Sequence, residues 1–149
     1  MTKLEDLLSG VSSLGFDTAP IIYFVEANQK YDALVSQIFQ RIANGLLTGI
    51  TSVITFTEVL VQPIRRSDVE LSHKYSNLLL NSANFETVGI DTVMAKRAAS
   101  LRAQYNLRTP DALQLAAALE SGCQVFLTND VQLKRVTELR VLILDDLLS

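Results

Sequence analysis

The chain has 149 residues, 48% of them hydrophobic, enough to bury one domain's core and too apolar for a disordered chain. With 16 acidic and 13 basic residues its net charge is −3, which excludes a protein that grips nucleic acid over a broad basic face. A single cysteine, Cys123, and a single histidine, His73, exclude a disulfide framework and a Cys/His zinc site, so any metal would be held by oxygen.

In chain order, Leu4, Leu7 and Leu8 lie on one face of a short helix that ends at Gly10, within a helical extension over residues 1–13 that docks on the body or serves an interface. LGFD (14–17) reads as a strand, followed by an apolar helix from Pro20 through Val25. A second helix, from Tyr31 to Ala43, carries Leu34, Ile38 and Ile42 at helical spacing and closes at Asn44-Gly45. LLTGITS (46–52) is a strand. A helix then runs from Ser52 through Glu58 to about Gln62, and Pro63 separates it from another over Asp68 to Asn81, where His73 is a solvated group.

FETVGI (85–90) is the next strand, and Asp91 caps a helix with Met94, Ala98, Leu101 and Tyr105 on one face. RTPDALQLAAAL (108–119) opens a helix that Thr109 can cap, with Pro110 at its first position and Asp111 in its first turn. Cys123, a small apolar residue here, leads into QVFLTND (124–130), and RVLILD (140–145) is the last strand, with Asp145 and Asp146 capping the final turn. Glu26, Asp32 and Glu86 read as surface charges. Strands that alternate with helices and are apolar on both faces point to an α/β fold, a parallel sheet covered on both sides, in a main domain over residues 14–149. No uncharged apolar run reaches the roughly 18 residues of a membrane span. The N-terminus MTKLEDLLSG carries acids where a secretion signal has an apolar core, so a cytoplasmic protein without membrane contact is expected.

Ligands of such sheets bind beyond the carboxyl ends of the strands. Acids fall there: Asp17 follows the first strand, Glu58 sits in the helix after the second, Asp130 ends another strand, and Asp111 starts the helix before it. Singly, Asp17 is a turn residue, Glu58 a helix charge, Asp111 a favourable first-turn charge and Asp130 an Asx turn. Together, four carboxylates near one sheet edge repel unless a cation cancels them, and an all-oxygen set suits Mg²⁺ or Mn²⁺. Two such ions about 4 Å apart would hold a phosphodiester and generate a nucleophile from water. Thr18, Thr128 and Asn129 are placed to hydrogen-bond and hold the carboxylates. Short basic groups, Arg65-Arg66, Lys96-Arg97 with Arg102, and Lys134-Arg135, suit one groove on an acidic molecule.

FDTAPIIYFVE, TFTEVL and LRTPDALQLAAALESGCQVFLTND resemble, in order and spacing, the acidic motifs of the PIN-domain ribonucleases, and among them the VapC-type toxins of toxin–antitoxin pairs. The resemblance spans about residues 14 to 146 and carries over Asp17, Glu58, Asp111 and Asp130 as catalytic and metal-holding residues, with Thr128 in support. It implies a three-layer α/β/α sandwich with a short central parallel sheet flanked by helices. It also implies metal-dependent cleavage of RNA, a homodimer, and an antitoxin partner whose tail covers the site. Arg65, Arg66 and Arg108 are the first candidates for RNA contact. Two features depart from the family pattern: the extra segment 1–13, and Asp17-Thr18-Ala19-Pro20 in place of the usual Asp-Thr-Asn. The same Ala19 argues against a haloacid-dehalogenase-like phosphatase, which resembles Asp-x-Asp at this place. The remaining alternative is a catalytically silent PIN fold that binds RNA or protein.

Overall fold

Strands apolar on both faces require a covering layer on each side, and the computed structural model, which describes residues 3–148, has both. Its elements run α1 (Lys3–Leu8), β1 (Ser13–Phe16), α2 (Thr18–Val25), α3 (Asp32–Ala43), β2 (Thr48–Ser52), α4 (Val53–Arg65) and α5 (Val69–Asn81). There follow β3 (Phe85–Val88), α6 (Thr92–Tyr105), α7 (Thr109–Glu120), β4 (Val125–Thr128), a 3₁₀ turn (Val131–Arg135), β5 (Arg140–Ile143) and α8 (Leu144–Leu147). The sheet has five strands in the order β3-β2-β1-β4-β5, and every pairing is parallel.

Period-two alternation sorts the side chains into two cores. Leu14 and Phe16 of β1 join Val125 and Leu127 of β4 in a core with α1, α2, α3, α4, α5 and α8. Phe126 of β4 and Ile50 of β2 face the other way, onto α6, α7 and the 3₁₀ turn. Gly15 also faces that side, where a Cβ would stand 2.9 Å from the Ala118 Cβ and 3.1 Å from the Phe126 ring. The missing side chain and the alanines of α7 therefore let that helix lie close on the sheet. Gly15→Val should cost about 1–3 kcal/mol by overpacking, read as a lower urea midpoint with unchanged slope.

α1 docks on the body. Leu4 and Leu8 are buried in the first core, Arg140 donates to the Leu7 carbonyl, and Arg41 stands 3.8 Å from Glu5. Residues 1 and 2 of the expected extension lie outside the described residues.

Three local expectations change. α4 continues through Pro63 to Arg65; the ring is buried, and core packing offsets the donor that proline lacks. The break comes at Ser67, whose φ of 53° is left-handed, with the Asp68 amide bonding back to the Pro63 carbonyl at 2.8 Å. Thr109 does not cap α7: it is already helical, its hydroxyl accepts from Arg102 at 3.0 Å, and Arg108 holds the cap position without a side-chain bond. Asp145 and Asp146 do not cap α8, whose cap position is Ile143. Asp145 instead accepts from the Tyr31 hydroxyl, which with Lys30 nearby holds its carboxyl below the usual range, and Asp146 pairs with Lys134 at 2.6 Å. Glu26, exposed as expected, also accepts from the hydroxyl of buried Tyr75. His73 is exposed, while Cys123 is buried and its thiol is pushed up to about 12 by that burial, the state of a packing residue rather than a nucleophile.

Candidate active site

β1 lies at the centre of the sheet, with β2 on one side and β4 on the other. After β1 the chain enters the layer of α2, and after β4 it enters the opposite layer. The carboxyl ends of β1 and β4 therefore flank a topological switch point, where open α/β sheets leave a crevice. Asp17 and Asp130 stand at those two strand ends, Glu58 comes from α4, and Asp111 from the first turn of α7.

Asp17 stays in register through its amide, which donates to the Leu127 carbonyl at 2.9 Å, and its side chain caps α2. Oδ1 accepts from the Thr18 amide at 2.8 Å and Oδ2 from the Thr128 hydroxyl at 2.7 Å. The Thr128 oxygen accepts in turn from the Asp130 amide at 3.1 Å, so one hydroxyl joins the first and fourth acids. Asp130 forms the expected Asx turn, accepting from the Gln132 amide at 3.0 Å. Glu58 is exposed, and its Oε1 accepts from the Thr18 hydroxyl at 2.6 Å. Asp111, with its side chain only 16% exposed, stands 3.4 Å from Arg108.

Burial raises the pKa of Asp17, and the charges of Asp111 and Glu58 add to the rise, while the Thr128 and Thr18 bonds oppose it. Among the described residues, no three His, Cys, Asp or Glu side chains are drawn together closely enough to form a metal-holding group. The donors are all oxygen, which fits a hard cation in chemistry.

The PIN domain family model matches residues 16–139, most of the chain. The chain belongs to the PIN-domain family. PIN domains are, as a family, nucleases. No curated protein matches this one by sequence. Solved structures of similar shape include VapBC2 from Rickettsia felis bound to a DNA fragment of its promoter, at 15% identity and TM-score 0.71 over 88% of this chain and 98% of that one. VapC20 of Mycobacterium tuberculosis, a Sarcin-Ricin loop cleaving toxin, aligns at 14% identity and TM-score 0.65 over 87% and 99%. A toxin–antitoxin complex from Klebsiella pneumoniae aligns at 23% identity and TM-score 0.61 over 89% and 98%. At these identities the likeness is one of fold, and the three-layer sandwich of the PIN domain accords with it.

Beneath the acids, the PIN domain holds a buried polar network that sequence reasoning missed. Gln114, only 3% exposed, accepts from the Ser52 hydroxyl and donates to the Thr55 hydroxyl, both at 2.5 Å, and lies 3.3 Å from Thr18 Oγ1. Thr51 Oγ1 donates to the Phe16 carbonyl at 2.9 Å and stands 2.9 Å from Thr55 Oγ1. With the Thr18 proton committed to Glu58, Thr55 is the donor across the 3.2 Å between those hydroxyls. Among the described residues, no buried side-chain nitrogen or oxygen lacks a partner. A fully satisfied network of this kind rigidifies what it supports, here α2, α4 and α7, which carry Thr18, Glu58 and Asp111. The available signal was spacing: Gln114 is three residues after Asp111 and Thr55 three before Glu58, each one helical turn from an acid.

Asn129 serves elsewhere. Its amide donates to the Tyr31 hydroxyl at 2.9 Å and its carbonyl accepts from the Asp145 amide at 3.2 Å, tying the end of β4 to α3 and α8 rather than to the carboxylates. Arg108 stands beside Asp111. Arg65 ends α4 and Arg66 caps it; at 1.5 Å per residue, Arg65 lies roughly 10 Å along the helix from Glu58.

Proposed function

We propose that this PIN domain is an endoribonuclease dependent on Mg²⁺ or Mn²⁺, a VapC-type toxin that works as a homodimer and is silenced by a cognate antitoxin. The observation that carries the reading is Asp17: a half-buried carboxylate at the switch point, with hydroxyl or amide donors on both oxygens and within the fields of Asp111 and Glu58. A hard cation would neutralise it. Similar folds occur in toxin–antitoxin complexes, which supports the partner.

Asp17, Glu58, Asp111 and Asp130 would hold the ions, which supply Lewis acidity that makes water nucleophilic at neutral pH and stabilise charge on the phosphate. Thr128 would keep Asp17 and the Asp130 backbone in place, and Thr18 would orient Glu58. Arg108 would neutralise a phosphate of the RNA, with Arg65 and Arg66 as outlying contacts at the end of α4.

The test is cleavage of a mixed, structured RNA pool by the wild type and by Asp111→Asn, each with Mg²⁺, with Mn²⁺ and with chelator. Cleavage by the wild type should require metal, and the variant should lose about 10²–10³-fold in rate. No cleavage by antitoxin-free wild type in either metal would sink the reading and favour a binding module.

A further inference from the structure

Two of the acids open onto a cleft of about 270 Å³, in which the proposed chemistry gives Arg135 no part. Asp111 and Asp130 line it, together with Leu107, Arg108, Gln132 and Arg135. Its volume falls below the roughly 300–1,000 Å³ of pockets that enclose a drug-sized ligand, which suits a single small group of a longer molecule.

The cleft is built to hold charge in place. Arg135 donates from Nε to the Gln132 carbonyl at 3.0 Å, so its guanidinium is tethered by one bond, and its terminal nitrogens make no hydrogen bond among the described residues. Arg108, which lines the same cleft, projects from a loop braced by Arg102, which donates to the Leu107 carbonyl at 2.7 Å and to the Thr109 hydroxyl at 3.0 Å. Arg108 is itself 79% exposed, and its contact with Asp111 at 3.4 Å is a loose one. Two guanidinium groups on short, anchored segments suit a tetrahedral anion. Asp111 and Asp130 in the same lining mean that such an anion would lie next to the proposed cutting site.

We propose that this cleft receives a backbone phosphate of single-stranded RNA adjacent to the scissile one, and that Arg135, together with Arg108, is its positioning residue. The inference rests on the nuclease reading for the word scissile, but phosphate capture can be measured apart from it. A charge contact made equally in the bound and the reacting strand raises KM and leaves kcat nearly unchanged.

The test is binding of a fluorescein-labelled, mixed-sequence single-stranded RNA to the full chain in chelator, over a range of KCl. The slope of log affinity against log salt should shrink by about 0.7 in Arg135→Ala, the value of one lost single-strand phosphate contact. Arg108→Ala should do the same, and Arg135→Lys should keep the wild-type slope. Lys96→Ala, an exposed charge on α6 in a different cleft, is the control and should also keep it. Should Arg135→Ala lose its fold by circular dichroism, Arg135→Gln removes the charge and keeps the stem. A wild-type slope in the charge-removing variant overturns the proposal, as does a wild type that fails to bind RNA. Binding without cleavage in Mg²⁺ or Mn²⁺ would sink the nuclease reading alone, since the slopes still decide the cleft.

Discussion

Asp17→Asn should abolish RNA cleavage and, in chelator, raise the melting temperature. Burial, Asp111 and Glu58 all oppose ionisation of Asp17, so the folded protein holds its proton more tightly than the unfolded chain does. For a group raised in this way, stability is lost as pH rises from the unfolded-state value through the folded-state pKa. Asparagine keeps the size and an acceptor for the Thr18 amide, and removes the charge. The gain should be about 2–4 °C for each kcal/mol released, present at pH 7 and gone below the unperturbed value of 3.8, where both states of the wild type are protonated. Thermal melts of both proteins at pH 3 and pH 7 in chelator, beside a cleavage assay, check it. An equal or lower melting temperature for the variant at pH 7 would mean that the Thr128 bond outweighs the repulsion.

Gln114→Leu should damage both stability and cleavage without touching an acid. It strips the Ser52 hydroxyl of its acceptor and Thr55 of a donor, both in buried positions. The orphaned Ser52 hydroxyl costs about 1–3 kcal/mol, while Thr55 keeps Thr18 as a partner, so melting should fall by roughly 2–12 °C at about 2–4 °C per kcal/mol. Ser52→Ala combined with Gln114→Leu should lose less than the two single changes summed, because two apolar partners leave no orphan between them. Below the melting range, cleavage should drop about 10–100-fold, as for other groups that hold a metal-binding carboxylate, with part of the loss recovered at higher Mn²⁺. Full activity in a folded Gln114→Leu protein would show that Thr18 needs no support to orient Glu58.

The order of elements and the places of the acids were legible because both follow from periodicity. Apolar runs on both faces of the strands imply two covering layers, and the rule for parallel sheets says where a site opens before any residue is chosen. What escaped depends on tertiary neighbours. Gln114 reads as an ordinary polar residue in an alanine-rich helix, since its burial comes from Ser52, Thr55 and Thr18 on other elements. Asn129, next to Asp130, reads as part of the acidic corner, yet Tyr31 and the Asp145 amide draw it away. Pro63 reads as a break because its missing donor is a local fact, whereas the core that receives its ring is not. Thr109 is a good cap by type, but Arg102 already engages its hydroxyl. α1 read as an appendage with two possible partners; Leu4 and Leu8 complete the first core.

The central strand pairs with a distant one, Leu14 with Val125 and Phe16 with Leu127. During synthesis Asp17 is made early, yet the strand and hydroxyl that hold it in place arrive more than 100 residues later. At about 5–20 residues per second, that interval is roughly 5–25 s. The acidic corner therefore cannot assemble until β4 has been made, and long-range parallel pairing then adds its own delay. In the proposed ribonuclease, the nascent chain would stay inactive toward RNA over that interval.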